Sequence, residues 1–176
     1  GGSFQSAAAG VLGFAQKVAS GGIDNALREY HREDLIGKSS EVVWTELLHE
    51  FTNYGASVED NMAADALSQA MENLEIEDIA DIGNVSVDIL LKEMLKEYIK
   101  ENFDFRYEEK ISKGKTPAQT SAILNDMHEY IENSIDGDLN LDNLKSVDFS
   151  NMGTSQIVED ALSDALSVFE KYYGED

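Results

Sequence analysis

The sequence contains no cysteine and only one proline in 176 residues. Without cysteine it has no disulfide framework, no thiol nucleophile and no zinc site of the cysteine type. Its longest apolar stretch, near residues 4–19, is interrupted by Gln5, Gln16 and Lys17 and has no basic flank. Such a stretch is typical neither of a membrane span nor of a signal peptide. We therefore expect a soluble, cytoplasmic protein with no membrane partner.

Basic side chains are scarce, because 13 Lys and Arg stand against 35 Asp and Glu, for a formal net charge of −22. A chain of this charge repels phosphate backbones and lacks the basic excess that counterion release requires, so we expect no direct nucleic-acid partner. The hydrophobic content of 42% is too high for a chain that is disordered by composition. The length suits one domain with a substantial core.

The negative charge is concentrated in two blocks. Residues 41–91 carry twelve acidic groups and no Lys or Arg, and residues 118–176 carry thirteen acidic groups against two basic ones. Residues 1–40 are neutral, and residues 92–117 carry seven basic against six acidic groups. Acidic helix faces must point at water or at a cationic partner. One functional alternative is therefore an acidic, immunity-type inhibitor that neutralises a basic toxin or nuclease through residues 41–91.

Apolar periodicity predicts an all-α fold, a compact acidic bundle of about six helices. In the first clear example, four apolar residues recur at i, i+3, i+4 and i+7 after a start at Ser39 or Ser40: Trp44, Leu47, Leu48 and Phe51. Later starts are predicted at Ser57 with Asp60, at Ser86, at Thr116 with Pro117 and Gln119, and at Thr154 or Ser155. The last helix is expected to carry Phe169 inward and to end at Gly174. No stretch alternates long enough to require a strand.

The first forty residues differ in composition, because they are rich in Gly, Ala and Ser. We interpret 1–40 as an N-terminal arm with a first short helix, and 41–176 as the acidic helical domain. Small residues permit close backbone approach, so the arm is expected to wrap the helical body or to dock on a partner. Its first three residues, Gly1-Gly2-Ser3, read as an expression scar.

One pattern resembles half of a di-iron site. Glu46 and His49 have the Glu-x-x-His spacing found in di-iron helical bundles. A second copy of the motif would end at His128, but Asn125 stands where glutamate is required. We therefore predict no metal there and interpret Glu46 and His49 as part of an exposed helix face.

A second pattern resembles the opening of a calcium loop. Residues 136–142 place oxygen ligands at alternate positions, yet Leu141 and Val147 stand where the loop requires Gly and Glu. An acidic turn between helices explains this segment better. The sequence therefore predicts no metal and no cofactor.

Catalytic motifs are absent from the sequence. His31, His49 and His128 fall on different predicted helices, and no P-loop or Gly-x-Gly-x-x-Gly motif is present. We therefore expect the protein not to be an enzyme, and we expect His128 to be partly buried with a hydrogen-bond partner. The aromatic residues of 103–107 are too dense for one buried stripe. Either that helix is central or part of the cluster meets another protein.

The chain resembles the QatB component of bacterial Qat anti-phage systems. The likeness begins with a Ser-Gly-Gly turn, in Ala19-Ser20-Gly21-Gly22, and continues through six further short patterns: Asn25-Ala26-Leu27, Tyr30, Leu35-Ile36-Gly37, Glu72-Asn73-Leu74, Leu95-Lys96-Glu97-Tyr98-Ile99 and Tyr172-Tyr173. The likeness spans most of the chain. It implies a role in phage defence, beside an ATPase, a QueC-like enzyme and a TatD-like nuclease of the same operon.

The resemblance also implies a non-catalytic adaptor that binds the QueC-like enzyme and, further, the ATPase and the nuclease. In this family a flexible N-terminal tail would precede the helical body, and the QueC-like enzyme would modify that tail. We expect the partner to contact eight residues of the neutral segment: Phe14, Gly21, Gly22, Asn25, Leu27, Tyr30, Ile36 and Gly37.

Overall fold

The computed structural model describes residues 3–151 and 153–173, with the side chains of 169–173 outside the description. These residues form six α-helices connected by short 3₁₀ helices and contain no strand, which confirms the all-α prediction. The helices are α1 (Ser3–Glu29), α2 (Ser40–Phe51), α3 (Val58–Asn73), α4 (Val87–Ser112), α5 (Pro117–Asp138) and α6 (Ser155–Tyr173). The predictions for Gly1, Gly2, Gly174 and the Phe169 side chain concern atoms outside the described residues.

Two helix starts are confirmed by reciprocal capping hydrogen bonds. At α3 the Asp60 backbone N–H donates to Ser57 Oγ and the Ser57 N–H donates to the Asp60 carboxylate, each at 3.1 Å. At α5 the Gln119 N–H donates to Thr116 Oγ1 at 3.2 Å and the Thr116 N–H donates to Gln119 Oε1 at 2.9 Å. Pro117 fits the first position of α5 because its missing N–H would have no partner there.

The N-terminal segment is a core helix, which corrects the expectation of an arm with a short helix. α1 has 27 residues and contacts α2, α3, α4 and α6. Most of its first part is buried: Phe4, Ala7, Ala8, Ala9, Val11, Leu12, Phe14, Ala15 and Val18. The small residues that suggested an arm allow neighbouring elements to approach α1 closely.

Gly13 shows how close this approach is. A Cβ atom added at Gly13 would lie 2.6 Å from the Tyr30 hydroxyl and 2.8 Å from the Phe149 carbonyl oxygen. A Cβ at Gly10 would lie 2.7 Å from the Phe51 ring. These glycines therefore leave room for neighbours that come from distant parts of the chain.

Helices α4 and α5 form an antiparallel hairpin around the short connection 113–116. The opposite helix directions are evident from two contacts, Lys96 with Asp136 and Asp104 with His128. Between residues 104 and 119 no side chain is buried. This end of the hairpin therefore lies at the edge of the core, where half-buried Tyr107 and Ile111 still pack against it, and we call residues 105–117 the hairpin tip.

Candidate partner-binding surface

The eight residues predicted to bind a partner do not share one surface. Phe14 and Leu27 are each 1% exposed and belong to the core, so a partner cannot reach them in this fold. Their places on the inward side of α1 follow from the helical repeat that buries its apolar residues. The remaining six are exposed or half-buried: Gly21, Gly22, Asn25, Tyr30, Ile36 and Gly37.

A break at Gly22 separates the buried part of α1 from a more exposed end. The backbone of Gly22 has φ 85° and ψ 170°, in a region that is essentially restricted to glycine. Gly37 also has a positive φ, of 83°. A Cβ atom added at either glycine would meet no atom within 4 Å, so the constraint there comes from the backbone torsions. Around the break Ser20, Gly21 and Asn25 are exposed to solvent.

Tyr30 lines a surface groove of about 520 Å³ close to this break. The other lining residues come from α1 and from the segment before α6: Gly10, Lys17, Glu29, Phe149 and Ser150. The Tyr30 ring packs edge to face against Phe14 and Phe51, with centroid distances of 5.5 and 6.1 Å. Tyr30 is thus anchored in the core on one side and open to the groove on the other.

Ionic contacts and charge define the chemistry of the groove. Lys17 Nζ lies 3.8 Å from Glu29 Oε2, which joins the two parts of α1 across the Gly22 break. Burial raises the pKa of Tyr30 to about 12, and the negative charges of Asp148 and Glu29 add to the effect. The Tyr30 hydroxyl is therefore neutral near pH 7. A neutral phenol beside an ion pair is suited to hydrogen bonding and packing with a partner.

A second polar cluster lies between α4 and α5. His128 Nε2 lies 2.6 Å from Asp104 Oδ1, and both side chains are half-buried, which confirms the expectation for this histidine. Burial raises the pKa of the nearby Glu101; the charges of Asp65 and Asp104 act in the same direction, and His128 opposes them. The groove beside these groups has a volume of about 260 Å³.

In the structure the residues of the two incomplete metal patterns make other contacts or belong to helix ends. Glu46 lies 3.6 Å from Arg32, and the His49 ring lies beside Tyr54 with a centroid distance of 6.4 Å. Residues 136–138 end α5, and Asp142–Ser146 form a 3₁₀ helix. Across 3–151 and 153–168, where side chains are described, no three His, Asp or Glu residues are arranged to hold a metal ion.

The aromatic cluster of α4 is divided between the core and the solvent. Phe103 is buried and contacts half-buried Tyr107 at a centroid distance of 5.0 Å, whereas Phe105 is 71% exposed. Basic residues at 106, 110 and 113 lie on one side of the same part of α4, whereas the i+3 and i+4 neighbours of Phe105 are Glu108 and Glu109. This basic surface was missed by the sequence analysis, although the i, i+4, i+7 spacing of the three residues was a signal for it.

Comparison with known proteins identifies a family whose model matches this chain. A family model described as Qat anti-phage system associated protein QatB matches residues 2–169, nearly the whole chain. No curated protein and no solved structure shows significant similarity to the chain. None of the helices in the described part of the chain is long and apolar enough to cross a membrane.

Proposed function

The chain belongs to the QatB family of Qat anti-phage system proteins, and on this premise we propose that it is a non-catalytic adaptor subunit of a Qat-type defence complex. It binds the QueC-like enzyme of the same operon and, further, the ATPase and the TatD-like nuclease. The QueC-like enzyme in turn modifies an N-terminal tail of the adaptor.

The observation that carries this proposal is the exposed surface around the Gly22 break. Three candidate residues, Gly21, Gly22 and Asn25, are exposed there, and Tyr30 opens onto the adjacent groove. Residues 1–40 carry no net charge, so this surface does not impose the repulsion that the acidic blocks would impose on an acidic partner. A pre-formed surface without net charge on a rigid core favours docking of a folded protein.

The groups in the groove also favour an adaptor over an enzyme. General acid–base catalysis requires a group whose pKa lies near the working pH, and the Tyr30 hydroxyl has a pKa of about 12. Lys17 and Glu29 are paired with each other. The Tyr30 hydroxyl is therefore suited to a binding contact rather than to proton transfer near pH 7.

Two asparagines provide a matched test of the docking surface. Asn25 lies on the proposed surface and Asn125 lies on α5, and both are exposed helical residues. We expect Asn25→Arg to reduce co-purification with the tagged QueC-like enzyme of the operon by at least about tenfold. Asn125→Arg should leave it unchanged, and circular dichroism should show the same melting temperature for both variants.

Two results would overturn the adaptor proposal. One is that the wild-type chain and the QueC-like enzyme do not co-purify when they are expressed together. The other is an association rate with a basic protein that falls steeply with salt, because that dependence indicates the acidic inhibitor. Intact-mass measurement of the chain co-expressed with the QueC-like enzyme tests the tail modification separately.

A further inference from the structure

A narrow groove of about 210 Å³ lies between the start of α2 and the segment that follows α3. Its apolar wall includes Trp44, Met71 and Ile76. Trp44 and Ile76 are half-buried and pack against the core, whereas Met71 is buried. This groove, which we call the Trp44 groove, therefore presents an apolar surface that is supported by the core and partly open to solvent.

Hydrogen bonds hold the two sides of the Trp44 groove together. Ser40, the first residue of α2, donates from Oγ to Asp78 Oδ1 at 2.7 Å and accepts from the Ile79 backbone N–H at 3.2 Å. Asp78 Oδ1 also accepts from the Ala80 N–H at 3.0 Å. The groove is thus formed within the chain itself, and a pre-organised site loses little conformational entropy when it binds.

The size of the Trp44 groove favours a single side chain as its occupant. Pockets for small molecules usually have volumes of about 300–1,000 Å³, and this groove is smaller. A large apolar side chain that enters such a pocket is a common anchor of protein–protein contacts. The occupant expected from size and polarity is therefore one apolar side chain of a protein segment.

The rim of the Trp44 groove is acidic. Glu41 and Glu77 line it, and Glu75 and Asp78 are exposed on either side of Glu77 along the chain. Residues 41–91 contain no Lys or Arg. Among the described residues, no Lys or Arg nitrogen lies within 4 Å of any of these four carboxylates.

The two basic residues that precede α2 act on other carboxylates. Arg32 lies 3.1 Å from Asp34, 3.6 Å from Glu46 and 3.4 Å from Glu50. The hydrogen bond and charge of Arg32 lower the pKa of Asp34, and the charge of Lys38 adds to this effect. Ion pairs with the rim of the Trp44 groove are therefore left for a partner to form.

We propose that the Trp44 groove binds a short basic segment of a partner protein. One apolar side chain of that segment enters the groove, and Lys or Arg residues on both sides of it pair with the rim carboxylates. The apolar wall provides the anchor contact, and the unpaired rim charges select a cationic segment over an acidic one. The groove residues are distinct from those around the Gly22 break, so this is a second binding site.

The full chain carries its own reporter for this site, because Trp44 is its only tryptophan. The probe is the synthetic peptide Gly-Lys-Arg-Leu-Arg-Lys-Gly with blocked ends, titrated at one fixed, physiological salt concentration. We expect the Trp44 emission to shift to shorter wavelength and to become less sensitive to acrylamide, because the leucine displaces water from the groove. The change should saturate with a Kd below about 1 mM.

Two control peptides separate the anchor from the charges. Gly-Lys-Arg-Ser-Arg-Lys-Gly keeps every charge but lacks the apolar side chain, and it should bind at least about tenfold more weakly. Gly-Gln-Gln-Leu-Gln-Gln-Gly keeps the leucine but lacks the cations, and it should also bind at least about tenfold more weakly.

Two variants of the chain form a matched pair. Glu77→Lys reverses a charge on the rim, whereas Glu129→Lys makes the same change at an exposed position of α5. We expect Glu77→Lys to weaken binding of the leucine peptide at least about fivefold and Glu129→Lys to leave it within about twofold of wild type. Neither residue has an ion pair among those described, so both variants should keep the wild-type melting temperature.

Four results would overturn the proposal. One is Trp44 emission that does not respond to the leucine peptide up to about 1 mM. Equal binding of the serine and leucine peptides, or equal effects of Glu77→Lys and Glu129→Lys, would attribute binding to net charge alone. Emission that depends on the concentration of the chain without peptide would instead identify a second copy as the occupant. None of these measurements involves the QueC-like enzyme, so their outcome is independent of the adaptor proposal.

Discussion

Phe4 stacks on Tyr98, with ring centroids 4.1 Å apart and ring planes 13° from parallel. The contact joins the start of α1 to the middle of α4, and Phe4 has no exposed surface. A deletion of residues 4–37 would therefore remove the central helix of the core along with any partner contact. Point substitutions at exposed positions separate binding from folding, and such a deletion does not.

Replacing Phe4 by alanine should destabilise the protein strongly. Phe4→Ala removes a fully buried ring and leaves a cavity, so we expect urea denaturation to show a loss of about 3–5 kcal/mol. Ser6→Ala changes an exposed residue of the same helix and should alter the free energy of unfolding by less than about 0.5 kcal/mol. A loss below about 1 kcal/mol for Phe4→Ala would contradict the core position of α1.

Two glycine substitutions should have opposite effects. Gly13→Ala places a methyl group within 3 Å of Tyr30 and Phe149, and we expect a net loss of about 1–3 kcal/mol. Gly137→Ala in α5 meets no atom within 4 Å, so its better helix propensity should stabilise the protein by up to about 1 kcal/mol. Thermal unfolding of both variants measures the difference, and equal effects would argue against close packing at Gly13.

Lys96 should stabilise the folded protein by holding α4 against α5. It is 5% exposed and lies 2.9 Å from Glu93 and from Asp136. Lys96→Met leaves these carboxylates without their cation. We expect a loss of about 1–3 kcal/mol in denaturant, below the value for a fully buried pair because Asp136 is nearly half exposed. Lys145→Met, at an exposed lysine, should cost less than about 0.5 kcal/mol.

The pH dependence of the Lys96 contribution follows from the pKa. Burial alone would lower the pKa of Lys96, but the hydrogen bonds and charges of Asp136 and Glu93 outweigh burial and raise it. The stabilisation is therefore complete below the pKa of a free lysine and disappears as the pH rises through the higher pKa of the folded state. The difference in stability between wild type and Lys96→Met should narrow over that alkaline range.

Tyr30 should ionise late in an alkaline titration. Its pKa is raised to about 12, whereas a tyrosine in an unfolded chain ionises near 10. The folded state therefore retains the proton between about pH 10 and 12, and Tyr30 contributes stability below pH 10 that is lost across this interval. Subtracting the tyrosinate absorbance curve of Tyr30→Phe from that of wild type should isolate this titration. A difference curve centred near pH 10 would contradict the burial of the hydroxyl.

Helix starts were predictable because the signals are local. Ser57 with Asp60 and Thr116 with Gln119 satisfy backbone N–H groups within one turn, so the residues at those spacings suffice to predict the cap. His128 was also placed correctly as a half-buried, hydrogen-bonded residue, because its neighbours on α5 follow the same helical repeat.

The central position of α1 and the burial of two candidate site residues could not be predicted from local signals. Gly, Ala and Ser favour close approach, but they do not specify whether the approaching surface belongs to a partner or to the same chain. The structure supplies the answer at Gly10 and Gly13, whose neighbours are Phe51, Tyr30 and Phe149. For the same reason, two of the eight proposed contact residues are buried in the core.

The sequence by itself determined the helical class, the helix starts, the acidic blocks and the family resemblance, because these depend on composition, on short motifs or on neighbours one turn apart. Only the tertiary structure decided that α1 is central, that Phe105 faces solvent while Phe103 is buried, and that the cations of the hairpin tip have no carboxylate partner within the described chain. The physical reason is that burial and ion pairing depend on which distant segments pack together, and those contacts leave no local pattern in the sequence.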